Sequence, residues 1–129
     1  MQKDKALQEE ILRISGQRPE HCMRCGKCSA SCPAYGEMDF PPHLFVYMVE
    51  KGDIAPLQKA DSLYHCLTCL ACVERCPRGV EPANLVEAVR ALTLREQGAG
   101  RMSQEEMLAK AEEKLPQQAL TSAMRKYVK

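Results

Sequence analysis

Eight cysteines, which are all the cysteines of the 129-residue chain, fall into two runs of identical spacing. The first run is Cys22-x2-Cys25-x2-Cys28-x3-Cys32-Pro33, and the second is Cys66-x2-Cys69-x2-Cys72-x3-Cys76-Pro77. Cysteine thiolates at this spacing are typical of bacterial proteins that hold [4Fe–4S] cubane clusters, each bound by four sulfurs. The sequence therefore predicts two [4Fe–4S] clusters and no catalytic residue among the cysteines.

The same pattern predicts which cysteines share a cluster. In it, the fourth cysteine of a run binds the cluster of the other run. Cluster I would take Cys22, Cys25, Cys28 and Cys76, and cluster II would take Cys66, Cys69, Cys72 and Cys32. The proline after each fourth cysteine stops a helical turn and directs the chain away. Because neither run completes its cluster alone, we expect folding and cluster uptake to be coupled.

Two other cysteine chemistries compete with this interpretation. A disulfide framework requires an oxidising compartment, to which nothing in the sequence points. Two structural zinc sites could be drawn from eight cysteines, as in a zinc-stapled interaction module, since zinc binds C-x2-C pairs in sets of four ligands. Zinc gives no reason for the third cysteine of each run or for the repeated Cys-Pro, so iron-sulfur clusters are favoured.

Composition excludes several functional classes. A formal net charge of +1 with 27% charged residues indicates no nucleic-acid partner. Five charged side chains precede Ile11, which leaves no apolar core for a signal peptide. The sequence contains no run of 18 apolar residues, so no membrane-spanning segment is predicted. We therefore expect a cytoplasmic protein. With no Gly-rich nucleotide loop and every thiol occupied, the sequence offers no catalytic constellation.

Helices are predicted around both cysteine runs. Residues 4–15 place Leu7, Ile11 and Ile14 on one helical face, and this face is expected to pack on the chain itself. Between the runs, an apolar segment begins after Pro41-Pro42 and ends at Gly52, which predicts a helix. Residues 44–49 taken alone could instead form a strand. Asp61 or Ser62 is a candidate N-cap for a short turn that leads into Cys66.

The C-terminal third is predicted to be helical as well. A helix should begin near Pro82 and run to Gln97, before a Gly98-Ala99-Gly100 hinge. Ser103-x-x-Glu106 has the spacing of a capping box. The helix it opens would carry its apolar face on Met107, Leu108, Ala111 and Leu115, and a last helix after Pro116 would present Leu120, Met124 and Tyr127. These two helices are equally suited to docking on a partner and to packing in the core.

The stretches His21–Pro33 and Tyr64–Val80, including Glu74-Arg-Cys-Pro-Arg-Gly-Val80, resemble the C subunit of heterodisulfide reductase. The likeness covers roughly residues 19–97. It implies an all-α fold, an α-helical ferredoxin domain holding two cubane clusters, with extra N- and C-terminal helices. The implied organisation is an N-terminal helix at 1–18, the ferredoxin domain at 19–97 and a helical extension at 98–129. The ligand cysteines of that family map onto all eight cysteines.

The resemblance also implies a role. The C subunit relays electrons from a flavin-containing A subunit to a B subunit that reduces a disulfide, so this chain would be a non-catalytic member of a hetero-oligomer. A free ferredoxin is one alternative, although such carriers are often strongly acidic and this chain is nearly neutral. The iron-sulfur subunit of another dehydrogenase complex, such as that for succinate, is another.

Charged and titratable residues flank the cysteines. His21 and His65 precede the two runs at equivalent positions, and both are expected at the solvent edge rather than as ligands. Four cations lie in or just after the runs: Arg24, Lys27, Arg75 and Arg78. Nearby cations stabilise a cluster that gains negative charge on reduction, although exposed cations are screened by solvent.

Overall fold

The computed structural model describes residues 2–94, 103–109 and 115–125, and these residues form helices and loops without strands. The fold is therefore all-α, as predicted. The chain divides into two compact units, Met1–Glu96 and Gln97–Lys129. The described residues of the first unit form seven α-helices: α1 Gln2–Ser15, α2 Lys27–Ala30, α3 Pro42–Lys51, α4 Ile54–Gln58, α5 Ser62–His65, α6 Ala71–Glu74 and α7 Pro82–Leu94. Short 3-10 helices at Pro19–His21 and Tyr35–Glu37 complete it.

The core of the first unit lies where α1, α3, α4 and α7 pack together. Its fully buried side chains include Ile11, Phe45, Leu57 and Leu85. Burying a side chain of this size contributes about 1.5–3 kcal/mol, so these helices hold the loops between them in place. Three ligand candidates, Cys22, Cys66 and Cys76, pack against this core.

Helix α1 packs on α7, as the self-packing prediction required. Ile11 is completely buried and Leu7 packs against the core, but Ile14 is exposed. The predicted stripe is therefore shorter at its C-terminal end. The reason is that the chain turns away immediately afterwards, at Gly16, whose φ of +67° is readily adopted only by glycine.

Helix α3 has the predicted bounds, and the alternative strand for 44–49 does not form. Pro42 occupies its first turn, and Gly52 ends it with φ +80° and an N–H that bonds to the Val49 carbonyl. The Gln8 side-chain amide donates to the Val49 and Glu50 carbonyls at 2.6 and 3.0 Å. A Cβ at position 52 would lie 3.2 Å from Gln8 Oε1, so a larger residue would displace the Gln8 side chain slightly and would also strain the positive φ.

The second unit contains α8 Gln104–Ala109 and α9 Gln117–Met124. The predicted capping box is present: Ser103 N–H donates to Glu106 Oε2 at 2.9 Å, and Glu106 N–H donates to Ser103 Oγ at 3.1 Å. Leu108 and Leu115 are both exposed. The predicted hinge at 98–100, Gln97, Ala111 and Tyr127 lie outside the described residues, as do the side chains of Met107 and Met124.

Candidate iron-sulfur site

The two cysteine runs follow the same backbone path. In each, the second and fourth residues after the first cysteine have left-handed backbone angles. These are Arg24 (φ +56°) and Gly26 (+73°) in the first run and Thr68 (+52°) and Leu70 (+62°) in the second. One helical turn follows in each run, α2 in the first and α6 in the second. The sequence repeat at an offset of 44 residues (66 − 22) is therefore also a structural repeat.

Backbone strain in the described residues is concentrated in these loops. The non-glycine residues with positive φ are Arg24, Thr68 and Leu70. Left-handed geometry costs roughly 1–2 kcal/mol for such residues, and it is least favourable for a β-branched residue such as Thr68. Strain of this kind persists where the surroundings fix the loop, and it often marks functional sites.

Each of two cavities is lined by four cysteines. The first cavity is bordered by Cys22, Cys25, Cys28 and Cys76. The second is bordered by Cys32, Cys66, Cys69 and Cys72. In each case three cysteines come from one run and the fourth from the other. The cysteines that line each cavity coincide with one of the two predicted ligand sets, and their binding of a cluster stays a prediction.

The donor set fits a cubane cluster better than a single metal ion. Within the described residues, no three His, Cys, Asp or Glu side chains converge closely enough to hold one ion. A structural zinc needs four ligands at one point. The cysteines of a cubane each bind a different iron, so their sulfurs surround a cavity instead. Four cysteines around each cavity match this second requirement.

The cysteines differ in exposure. Cys28 and Cys72 are buried and pack together with Ala83, so that the two cavities adjoin through this small apolar cluster. Cys25 and Cys69 are exposed at the outer rim. Burial raises the pKa of Cys28 and Cys32 above the usual range and raises the pKa of Cys72 to about 11. In the absence of a metal these three thiols are therefore protonated at neutral pH.

The predicted tuning cations are all exposed, but they differ in position. Arg78 lines the first cavity beside Cys22 and Cys76. Arg24 lies 4.7 Å from the ring centre of Tyr47, and its Nη2 is 3.4 Å from Glu50 Oε2. Lys27 and Arg75 share an open surface groove with Glu74 and line neither of the cysteine-lined cavities. His21 and His65 are exposed, as predicted.

Two polar interactions at the site were not predicted from the sequence. Ser29, buried next to Cys28, has its hydroxyl 2.7 Å from His43 Nδ1. Arg90 on α7 donates to the carbonyls of Leu63 and Cys66 at 2.6–2.9 Å and so holds the start of the second run. Both link residues that are 14 or more positions apart, so no local sequence pattern could reveal them.

Exposed apolar side chains surround the cysteine loops. Met23 and Leu67 follow the first cysteine of their runs at equivalent positions and are 55% and 69% exposed, and Tyr64 is 67% exposed. Exposed apolar side chains that form a contiguous patch are typical of protein-protein contact surfaces.

Comparison with known families supports iron-sulfur clusters as the cofactor. Residues 18–80 match the model of a 4Fe-4S dicluster domain. This part of the chain is similar to 4Fe-4S dicluster domains. The match spans both cysteine runs and the helical linker, so iron-sulfur clusters are the cofactor of the domain. Helix α1, helix α7 and the second unit lie outside it.

The resemblance to the C subunit of heterodisulfide reductase is confirmed. The iron-sulfur C subunit of the CoB–CoM heterodisulfide reductase of Methanopyrus kandleri is 35% identical over 85 residues, covering 66% of this chain and 42% of the relative. The C subunit of the ferredoxin:CoB-CoM heterodisulfide reductase of Methanosarcina acetivorans is 34% identical over 77 residues, covering 60% of this chain and 31% of the relative. The chain spans less than half the length of either.

A subunit of another enzyme is also similar to this chain. The succinate dehydrogenase iron-sulfur subunit of Paracoccus denitrificans is 29% identical over 82 residues, covering 54% of this chain and 32% of the relative. The chain is thus similar to subunits of more than one type of oxidoreductase. Among the described residues, no helix is long and apolar enough to cross a membrane.

Proposed function

We propose that this chain is an electron-transfer subunit that relays single electrons between partner proteins through two [4Fe–4S] clusters. The observation that carries this proposal is the pair of adjoining cavities, each bordered by four cysteines. Cys22, Cys25, Cys28 and Cys76 would hold one cluster, and Cys66, Cys69, Cys72 and Cys32 the other. A bound [4Fe–4S] cluster supplies one-electron redox chemistry.

The protein residues give this relay its geometry. Buried Cys28, which lines the first cavity, packs together with Cys72 and Ala83, which line the second. Exposed Cys25 and Cys69 lie at the rims, where a partner can approach closely. The route therefore runs from one exposed rim, through an apolar centre, to the other.

The partners we propose follow from the relatives. A chain similar to the C subunit of heterodisulfide reductase would receive electrons from an A-like flavoprotein and deliver them to a B-like subunit, in the cytoplasm. The exposed Met23, Tyr64 and Leu67 support a docked subunit rather than a free ferredoxin, because a freely diffusing carrier benefits from a charged surface instead. The similarity to the succinate dehydrogenase subunit supports a second candidate, a relay in another dehydrogenase complex.

The test is to purify the chain without oxygen, quantify iron, sulfide and zinc, and record an electron paramagnetic resonance spectrum after reduction. We expect about eight irons per chain and interacting signals from two reduced cubanes. About two zincs and no signal would contradict the relay. Size-exclusion chromatography addresses the docked state: a well-behaved monomer at all concentrations would favour the free carrier.

A further inference from the structure

The two cysteine loops are not chemically equivalent. Position 29 in the first run corresponds to position 73 in the second, at the 44-residue offset, and the residues there are Ser29 and Val73. Each directly follows the buried cysteine of its run, Cys28 or Cys72. The first loop thus has a hydroxyl next to its buried ligand candidate where the second has only an apolar side chain.

Ser29 is built into a polar site rather than left at the surface. Its side chain is 4% exposed, and its Oγ accepts a hydrogen bond from the His43 backbone N–H at 3.0 Å. The same Oγ lies 2.7 Å from His43 Nδ1. His43 also lines the first cavity with its four cysteines. One residue of α3 therefore contacts the hydroxyl twice and borders the cavity.

The protons available to this pair determine what the hydroxyl can do. A serine has one O–H proton and two acceptor sites. If His43 carries its proton on Nδ1, both acceptor sites are filled by His43 donors and the O–H remains free to donate to the Cys28 sulfur. If Nδ1 is unprotonated, the Ser29 hydroxyl donates its hydrogen bond to Nδ1 instead. A negatively charged metal-bound sulfur favours the first arrangement, because charge-assisted hydrogen bonds are stronger.

Two further observations agree with that arrangement. Burial raises the pKa of Cys28, while the backbone N–H and the hydroxyl of Ser29 act to lower it. In the second loop, by contrast, Val73 packs against the apolar cluster around Cys72 and offers no donor.

We propose that Ser29, oriented by His43, donates a hydrogen bond to the Cys28 sulfur and thereby raises the reduction potential of the cluster held by Cys22, Cys25, Cys28 and Cys76 above that of its neighbour. The inference rests on the proposed relay function. Hydrogen bonds to ligand sulfurs are one of the properties that set cluster potential, because they stabilise the more negative reduced state. The first electron added to the chain is then held on the side of the first run.

The decisive experiment compares Ser29→Val with Ser29→Thr in the cluster-loaded full-length chain. The two replacements have nearly the same shape, and only threonine keeps the hydroxyl; valine is also the residue of the second loop. Iron and sulfide are quantified first, and both midpoints are then measured by redox titration followed by electron paramagnetic resonance. We expect Ser29→Val to lower one midpoint by about 59 mV, a tenfold change for one electron. Ser29→Thr should leave both midpoints near their original values.

The other outcomes are equally defined. Equal midpoints in the valine and threonine variants, or shifts of both clusters together, would overturn the inference while leaving the relay intact. Lack of clusters in the unchanged chain would instead contradict the relay. If Ser29→Val does not take up clusters, the same redox titration is carried out on His43→Met and His43→Gln. Glutamine keeps a side-chain N–H donor and methionine does not. We therefore expect the methionine variant alone to lower the midpoint of the first cluster. Ser31→Ala is the control, because the Ser31 hydroxyl bonds to the Lys27 carbonyl.

Discussion

At the scale of single residues, some of the ligand cysteines are buried although they must be thiolates to bind metal. Cys72 is 9% exposed and has a pKa raised to about 11. A buried thiol resists ionisation because the thiolate loses its hydration, yet metals bind thiolates. Cluster uptake by this chain must therefore displace protons from its buried cysteines.

This proton displacement gives a pH-dependent prediction. A raised pKa means that the folded, metal-free chain binds the Cys72 proton more tightly than the unfolded chain does. We expect cluster uptake to strengthen as pH rises from 7 toward 9, and the stability of the metal-free fold to fall between about pH 9 and 11. Titration calorimetry in buffers of different ionisation enthalpy counts the released protons, and uptake without proton release would contradict the prediction.

The second prediction at this scale concerns Arg78, which lines the first cavity. Replacing it with glutamate changes the local charge by two, and the reduced cluster, being more negative, is destabilised. We expect Arg78→Glu to lower one midpoint, with Arg78→Gln in between. Lys59→Glu makes the same charge change at an exposed residue that borders neither cavity, and it should have little effect. An unchanged midpoint in Arg78→Glu would show that solvent screens this cation completely.

At the scale of elements, α7 positions the second cysteine run through one side chain. Arg90 is half-buried, donates to the carbonyls of Leu63 and Cys66, and pairs with Glu87 at 2.8 Å. Those two carbonyls lie where α5 ends and the cysteine loop begins, so they have no helical partner. The guanidinium thus connects a long core helix to the first ligand candidate of the second run.

Removing this guanidinium should weaken the loop. Arg90→Met keeps most of the side chain's apolar volume but leaves the two carbonyls without their donor, at a cost of about 1–3 kcal/mol in the free energy of unfolding. We also expect faster loss of iron to a chelator. Arg13→Met is the matched control, because Arg13 pairs with Glu10 at an exposed site on α1. Equal chelation rates for the two variants would show that Arg90 has no positioning role.

At the scale of the whole molecule, the two runs meet around shared cavities. Cys76 borders the cavity of the first run, and Cys32 borders that of the second. If ligation is crossed in this way, neither half of the domain can hold a complete cluster by itself. The fold and the cofactors then form one cooperative unit, as in other small domains that depend on metal.

Double substitutions test the crossing. If Cys22 and Cys76 bind the same cluster, Cys22→Ala with Cys76→Ala damages one site, and about four irons per chain should remain. Cys66→Ala with Cys76→Ala would damage both sites and remove nearly all iron. Iron and sulfide analysis distinguishes these cases, because substitutions within one site are not additive. The reverse result, with iron retained only in the Cys66 and Cys76 double variant, would indicate ligation within each run.

Local signals in the sequence determined the helices and the type of cofactor. The cysteine spacing predicted iron-sulfur chemistry and the two sets of four cysteines that line the cavities. Pro42 and Gly52 fixed the ends of α3, and Ser103 with Glu106 formed the predicted capping box. Such signals work because prolines, glycines and caps act on the backbone within a few residues of themselves.

Only the tertiary structure decided which residues support the cysteines. Ser29 meets His43 because α2 packs on α3, and Arg90 reaches Cys66 because α7 packs on α5. Ile14 belongs to an apolar stripe and is nevertheless exposed, because the chain turns away at Gly16. These outcomes depend on how helices distant in sequence pack together, and a single sequence specifies that packing only through the summed burial of the whole core.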